Sequence, residues 1–436
     1  MAREGSTPLT DVLTSVLCED HVLAEGKRLG VFTRRPRRLR LFVLVWSVLL
    51  GLPVGAKRLT LEGLRRAYQK AAGHTLARSS FHDRLNPALT RLFKDLVHQL
   101  LAAPAADFAL PDGALAGFRD ILAFDATVLR LHDLLAKRFA ATRTNHTKAA
   151  AKLHMVLSVL AGTPRKVKLT AERVGDTVPW KRLGPWVSGC LLLFDLGYYS
   201  FHLFDRIDQN GGFFLSRAKS NFNPVITATH RRWRGQAIDV VGQRLQDVLP
   251  RLARAHLDVQ VEVSFSKRAY KGKSGRKKRT FRLVATKNVE TGQYHLYLTN
   301  LPADRLSAEE VCATYAVRWQ IELFFKLLRS HLFLSDLPTT KPHIVELLVW
   351  ASILRAIISG ELFRLIRRRV RADRHIPLLR WGRLFAEAAH ELLHLINHLD
   401  PKAEQQLLKR LLHEAPDPNR RRSTRSIQEV PMPVAA

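Results

Sequence analysis

The chain has 436 residues, with 70 Lys and Arg against 38 Asp and Glu, giving a formal net charge of +32 and a pI near 10.9. A hydrophobic share of 46% with 8% aromatics is enough for packed cores, which excludes a mostly disordered chain. At roughly 150 residues per domain the length predicts two or three domains. So large a positive excess on a folded chain points to a polyanion, with nucleic acid ahead of an anionic membrane. The longest uncharged run, Leu41 to Ala56, contains Ser47, Gly51, Pro53 and Gly55 and is short of a span, so it reads as a buried helix and no membrane partner is expected. Cys18, Cys190 and Cys312 are scattered and odd in number, which excludes a disulfide framework or a Cys-x-x-Cys zinc site and fits a reducing cytosol.

Residues 1–115 read as a helical N-terminal region. Thr60 caps a helix through Leu61, Leu64, Ala67, Tyr68 and Ala71 that breaks at Gly73. Ser80 and Asp83 have capping-box-like spacing, and Asn86 caps a further helix that starts at Pro87. Helices joined across Gly73 are either a DNA-binding helix-turn-helix offering Arg78, His82 and Arg84, or a plain helical hairpin. Upstream, Arg34, Arg35, Arg37, Arg38 and Arg40 either track phosphates or form a solvated face.

From 116 to 221 the pattern changes to strands: Phe118–Leu131 contains the apolar run Ile121–Phe124 ending in Asp125, Lys152–Leu160, Arg165–Thr170 and Leu191–Phe194 follow, then a helix from Phe201 to Gln209 and a strand from Phe213 to Lys219. This order predicts an α/β layer with a mixed sheet. Residues 222–302 read as a β-rich insertion: Val259, Val261, Val263 and Phe265 alternate with polar residues, Phe281, Leu283 and Ala285 return, and Tyr294–Thr299 adds a strand. Between the first two lie Lys267, Arg268, Lys271, Lys273, Arg276, Lys277, Lys278 and Arg279. Charges of one sign at this density on a hairpin tip point to a phosphate backbone. Residues 303–335 return to the α/β layer, 336–415 form a C-terminal helical region, and 416–436, with Arg420, Arg421 and Arg422, read as a disordered basic tail.

Three acidic residues stand apart. Asp125 and Asp195 each end an apolar strand, at the edge where open α/β sheets keep their sites, although each taken alone reads more readily as a turn or cap residue. Glu322 lies in a segment whose polar members Tyr315, Arg318, Glu322, Lys326 and Arg329 are spaced 3, 4, 4 and 3 apart, which puts them on one stripe of a helix that is otherwise apolar. An ion network along the helix explains the spacing but not why so apolar a helix keeps a polar seam. Three converging carboxylates would repel one another and are costly to bury unpaired. A hard divalent cation, Mg²⁺ or Mn²⁺, removes the conflict, and two such ions can activate an attacking oxygen and stabilise a leaving one. The chemistry so implied is metal-assisted phosphodiester transfer on DNA.

The run Tyr315-x-x-Arg318-x-x-x-Glu322 with Lys326 and Arg329 resembles the Tyr-Arg-Glu-Lys signature of bacterial insertion-sequence DDE transposases. Phe124-Asp125-Ala126-Thr127, Phe194-Asp195-Leu196-Gly197 and the Phe213–Lys219 strand with Arg217 resemble that family's other motifs, in the same order. The resemblance implies a ribonuclease H-like core interrupted by the β-rich insertion, and cut-and-paste transposition. Terminal inverted repeats and target DNA would be the partners, within a synapsed homodimer on the bacterial nucleoid in the cytoplasm. It implies Asp125, Asp195 and Glu322 as ligands of two Mg²⁺ or Mn²⁺ ions, and Arg217, Tyr315, Arg318, Lys326 and Arg329 as DNA contacts. Arg329 stands where the family has lysine. A flipped base would stack on an aromatic of the insertion, for which Tyr294, beside His295, is the candidate. A nuclease on the same fold that cuts without joining, or an inactive DNA-binding derivative, are the alternatives.

Overall fold

The computed structural model describes residues 8–32, 39–52, 58–103, 115–142, 147–230, 239–266, 275–335, 337–371 and 373–418, and the backbone at 232–233 and 236–237. Arg34, Arg35, Arg37, Arg38, Lys267, Arg268, Lys271, Lys273 and the tail from residue 419, with Arg420, Arg421 and Arg422, therefore lie outside the described residues.

Six helices come first: α1 Leu9–Val16, α2 Glu19–Arg28, α3 Leu41–Leu50, α4 Leu61–Ala72, α5 Arg78–Arg84 and α6 Pro87–Ala102. Every residue of α3 is buried, as the apolar run predicts. Thr60 Oγ1 accepts the Gly63 N–H at the start of α4, Gly73 ends that helix at φ 72°, and Asn86 accepts the Leu89 N–H ahead of Pro87. The capping box expected at Ser80 and Asp83 is not formed. Ser80 lies inside α5, whose N-cap is Ala77, because the chain enters the helix three residues earlier.

Strands β1 Asp120–Leu131, β2 Ala149–Ser158, β3 Thr163–Ala171 and β4 Cys190–Phe194 precede α7 Phe201–Gln209 and β5 Phe213–Arg217. Then follow β6 Val225–Thr229, a two-residue ribbon of β7 Arg232–Trp233 and β8 Gln236–Ala237, the short α8 Leu245–Val248, and the long strands β9 His256–Ser266, β10 Arg276–Lys287 and β11 Tyr294–Thr299. Nine of these strands form one mixed sheet in the order β3-β2-β1-β4-β5-β11-β10-β9-β6. β1 to β3 are antiparallel, β1, β4 and β5 are parallel, and the rest are antiparallel. The first five strands, where the ribonuclease H-like core is expected, make one half of the sheet, and the strands of the 222–302 segment pair onto β5 and widen the same sheet.

Alternation along the strands splits the sheet into two cores. Ala123, Leu193 and Leu215 face one core, and Phe124, Phe194 and Phe214 face the other, against α7. The first face is covered by helices from both ends of the chain, α9 Ala308–Ala316, α10 Trp319–Ser330, α11 Pro342–Arg369, α12 Leu378–Asn397 and α13 Pro401–Glu414, with α6 against α11. The N- and C-terminal helices thus share one core. Arg355, fully buried on α11, joins them by donating to Val48 O at 2.7 Å, Leu49 O at 2.9 Å and Leu332 O at 3.0 Å. α11 has the length and composition of a membrane span, but 83% of its most apolar window is buried inside the fold, as in a core helix. α12 presses on α10 at Gly382, where a Cβ would come within 2.0 Å of Leu327 Cδ1, so a larger residue there requires the Leu327 side chain to move aside.

Candidate active site

β1 and β4 run parallel with Phe124 opposite Phe194, and their pairing stops there. The next residue on each is an aspartate, so Asp125 and Asp195 stand side by side. Both follow a residue of the α7 face, so both point to the helix-covered face. β4 ends at Phe194 as expected, but β1 does not end at Asp125. It continues to Leu131 because β2 keeps pairing with it, Asp125 opposite Met155. What ends at Asp125 is the parallel neighbour, which opens a gap beside a continuing strand.

α10 lies across this gap on β1. The single helix expected over Tyr315–Arg329 is two helices, α9 and α10, meeting at Val317–Arg318. The backbone there stays in the right-handed helical region and tightens to three-residue steps, with the Arg318 N–H on Tyr315 O and the Ile321 N–H on Arg318 O. The Tyr315 hydroxyl therefore reaches a carboxylate, while Glu322 lies near enough for its charge to act on Asp125. The Tyr315 hydroxyl stands 3.5 Å from Asp195 Oδ1, its ring 5.1 Å from that of Tyr297 on β11. Arg318 donates to Glu322 Oε1 at 2.5 Å.

Burial pushes the Asp125 carboxyl up to about 6, and the neighbouring Glu322 and Asp195 carboxylates add to the rise, against the Ala126 N–H at 2.7 Å and the Arg318 charge. Asp125 thus feels both other acids. Burial likewise raises the Tyr315 phenol to about 12, so it stays a hydrogen-bond donor at neutral pH. Among the described residues no three His, Cys, Asp or Glu side chains close around a common point as a bound metal requires. Glu322 is instead drawn to Arg318.

Arg217 shares the helix-covered face with Leu215, opposite Tyr297, and donates to His295 Nδ1 at 2.9 Å. Arg329 reaches back to Thr127 Oγ1 and Val128 O, two and three residues past Asp125, while Lys326 is exposed on the stripe. Tyr294 is not a stacking surface for this cleft. It shares the period of Leu296 and Leu298, which belong to the opposite core, and its hydroxyl donates to Arg254 O at 2.6 Å and Leu252 O at 3.2 Å. His295, one residue on, faces the carboxylate side.

Lys277 and Arg279 are not on the hairpin tip. They lie in β10 opposite Phe265 and Val263, and Asp205 of α7 accepts from both at 2.6 Å, with Asp208 taking Arg279 at 3.0 Å. Arg276 and Lys278 are also strand residues, Lys278 pairing with Glu262 at 2.8 Å. Three side chains near the site carry roles that the sequence did not assign them. Thr127 is the partner of Arg329, His295 the partner of Arg217, and Trp319, 56% exposed, opens α10 three residues ahead of Glu322. The spacing of Trp319 to Glu322 put it on the stripe's side of the helix, and only its aromatic character disguised it as core.

Residues 116–358 match the family described as "Transposase DDE domain". The transposase of insertion sequence IS421 from Escherichia coli is 37% identical over 87 residues, 20% of this chain, and the match spans only 24% of that relative. The transposase of IS231F from Bacillus thuringiensis subsp. israelensis is 24% identical over 330 residues, 67% of each chain. Among solved structures, a cryo-EM synaptic complex of piggyBac transposase with hairpin DNA is similar at a TM-score of 0.49 and 12% identity, over 98% of this chain and 89% of that one.

Proposed function

The chain belongs to the transposase DDE domain family, and from that premise we propose that it is a DNA transposase of an insertion sequence, cutting phosphodiesters at the element's ends and joining the freed 3′-OH to target DNA. Support comes first from Asp125 and Asp195, side by side where the β1–β4 pairing stops, with the Glu322 helix across them. The chemistry of these donors fits a hard divalent cation: they are carboxylates, and the raised pKa of Asp125 marks a place where a cation would relieve a cost. A cation held by Asp125, Asp195 and Glu322 supplies the charge that activates an attacking oxygen and stabilises a leaving one. Holding it requires Glu322 to turn from Arg318 toward the two aspartates.

The chain's own groups bind and orient the DNA. Arg318, released from Glu322, faces the scissile phosphate with a planar fork, and Arg217, steadied by His295, offers a second. Tyr315 donates its phenolic proton to Asp195 and fixes that carboxylate. Trp319 offers an exposed π-face for a base beside the cut. In this reading Lys326 touches backbone, Arg329 acts by holding β1, and the hairpin cations Lys267, Arg268, Lys271 and Lys273 follow phosphates. The working assembly is a homodimer on terminal repeats, in the bacterial cytoplasm. Incubating the protein with a labelled element end, a target plasmid and Mg²⁺ tests the reading: joined product supports it, cleavage without joining favours a nuclease, and neither product sinks it.

A further inference from the structure

A transposase needs a second duplex, the one that receives the freed end. Arg217 on β5 and Tyr315 and Arg318 lie to one side of the paired aspartates. On the other side the sheet runs through β2 to β3 and stops. Register carries the level of the site to that edge. Asp125 pairs with Met155 and Met155 with Val167, so Val167 stands level with Asp125, two strand spacings or about 10 Å away.

Cations gather at this edge. Lys166 and Lys168 flank Val167, their ammonium groups 4.9 Å from the Trp186 ring and 5.0 Å from the Trp180 ring. Across the edge α6 brings Lys94 to 6.0 Å from the Trp350 ring and His98 to 5.3 Å from it. A cavity of about 400 Å³ lies between, lined by Lys94, His98, Arg138, Lys168 and Trp350. Its carboxylate, Glu346, is taken by Arg138 at 2.9 Å. Among the described residues no carboxylate is paired with Lys94, Lys166 or Lys168. Trp350 is 3% exposed, and its indole N–H has no acceptor. Burial, with the nearby cations, pushes Lys166 and His98 below their usual values. Lys168 donates to Pro179 O, and beyond the Arg138–Glu346 pair the edge is a partly desolvated set of cations with no carboxylate paired to them among the described residues. Phosphodiester oxygens supply acceptors and charge without demanding a sequence, which suits a duplex that is received and not read.

We propose that the β3 edge and its cavity hold the backbone of the target duplex. The proposal rests on the transposase reading and adds to it where the second DNA lies. The test uses the full-length protein in two reactions: cleavage of an uncut element end, and joining of a pre-cut end to a supercoiled plasmid. Lys94→Gln with Lys168→Gln is expected to lower joining at least tenfold and leave cleavage within twofold. The salt dependence of joining should flatten by about 0.9 in log–log slope per lost contact. Lys168→Arg, which keeps the charge, should restore most of the joining and so separates lost charge from a disturbed fold. Joining that survives the double change overturns the proposal. Cleavage and joining that fall together overturn it too, since the edge would then hold the cut end. A wild-type protein that neither cuts nor joins overturns the transposase reading itself.

Discussion

The guanidinium of Arg318 lies 2.5 Å from the carboxylate of Glu322, one turn further along the same stripe. Two residues expected to act on the scissile phosphate are therefore each other's partners before DNA arrives. The pair is partly buried, and under the proposed function Arg318 would exchange a carboxylate for a phosphate when DNA binds. Arg318→Ala should slow cleavage by about 30- to 150-fold on pre-formed complexes, the loss of a charge-assisted contact of about 2–3 kcal/mol. Arg318→Lys should recover only part of this, because a point charge does not reproduce the planar fork. Single-turnover cleavage rates decide it, and an Arg318→Ala rate equal to wild type would place Arg318 outside the reaction.

Asp125 gives a pH signature. Its folded pKa of about 6 lies above the ordinary carboxylate value, so the folded chain holds that proton more tightly than the unfolded one. The contribution is fully favourable below the unfolded pKa of about 3.9 and is lost as pH rises through about 6. At pH 7.5 Asp125→Asn should therefore stabilise the metal-free protein, by about 1–2 kcal/mol after screening at a partly exposed site. Mg²⁺ should raise the wild-type melting temperature more at pH 8 than at pH 5.5, and should not raise that of Asp125→Asn. Melting curves with and without Mg²⁺ at the two pH values measure this.

Arg329 acts on β1 through Thr127. Arg329→Lys keeps a donor and a charge there and should cut within about tenfold of wild type, a change of no more than roughly 1.4 kcal/mol. Arg329→Ala should cost roughly 2–3 kcal/mol. Thr127→Val should cost about 1 kcal/mol alone and add little to Arg329→Ala, since the two remove one interaction. Fully additive cleavage rates would show that Arg329 works elsewhere.

Lys277 and Arg279 join β10 to α7 through Asp205, whose side chain is 10% exposed. Asp205→Asn should destabilise the fold by about 1–3 kcal/mol, because it leaves two partly buried cations short of a partner. Neutralising Lys267, Arg268, Lys271 and Lys273 should instead leave stability unchanged and flatten the salt dependence of DNA binding by about 0.9 per lost contact. Denaturant melts and a salt titration of end binding separate the two sets, and a flattened slope in Asp205→Asn at unchanged stability would reverse them.

Local patterns made the central elements legible. The apolar run Leu191–Phe194 could only be a buried strand, α7 has the bounds its period predicts, and the 3, 4, 4, 3 spacing put Tyr315, Arg318 and Glu322 on one side. The misplaced residues were set by partners distant in sequence. β1 passes Asp125 because β2 pairs with it, and Lys277 and Arg279 meet α7 across 72 and 74 positions. Arg355 caps carbonyls of α3, which no local pattern announces. Tyr294 is different. The alternation Tyr294, Leu296, Leu298 already assigned it to the core side, and the chemistry of its ring drew more weight than its period deserved.

The central claim is that Asp125, Asp195 and Glu322 form one catalytic set, and the most direct measurement is cleavage of an element end by Asp125→Asn, Asp195→Asn and Glu322→Gln in Mg²⁺, with end binding followed in the same samples. Each change keeps the size of the side chain and removes a charge that a bound cation requires. The account predicts that all three lose cleavage while binding the end nearly as well as wild type. Cleavage at a near wild-type rate by any one of them would contradict it.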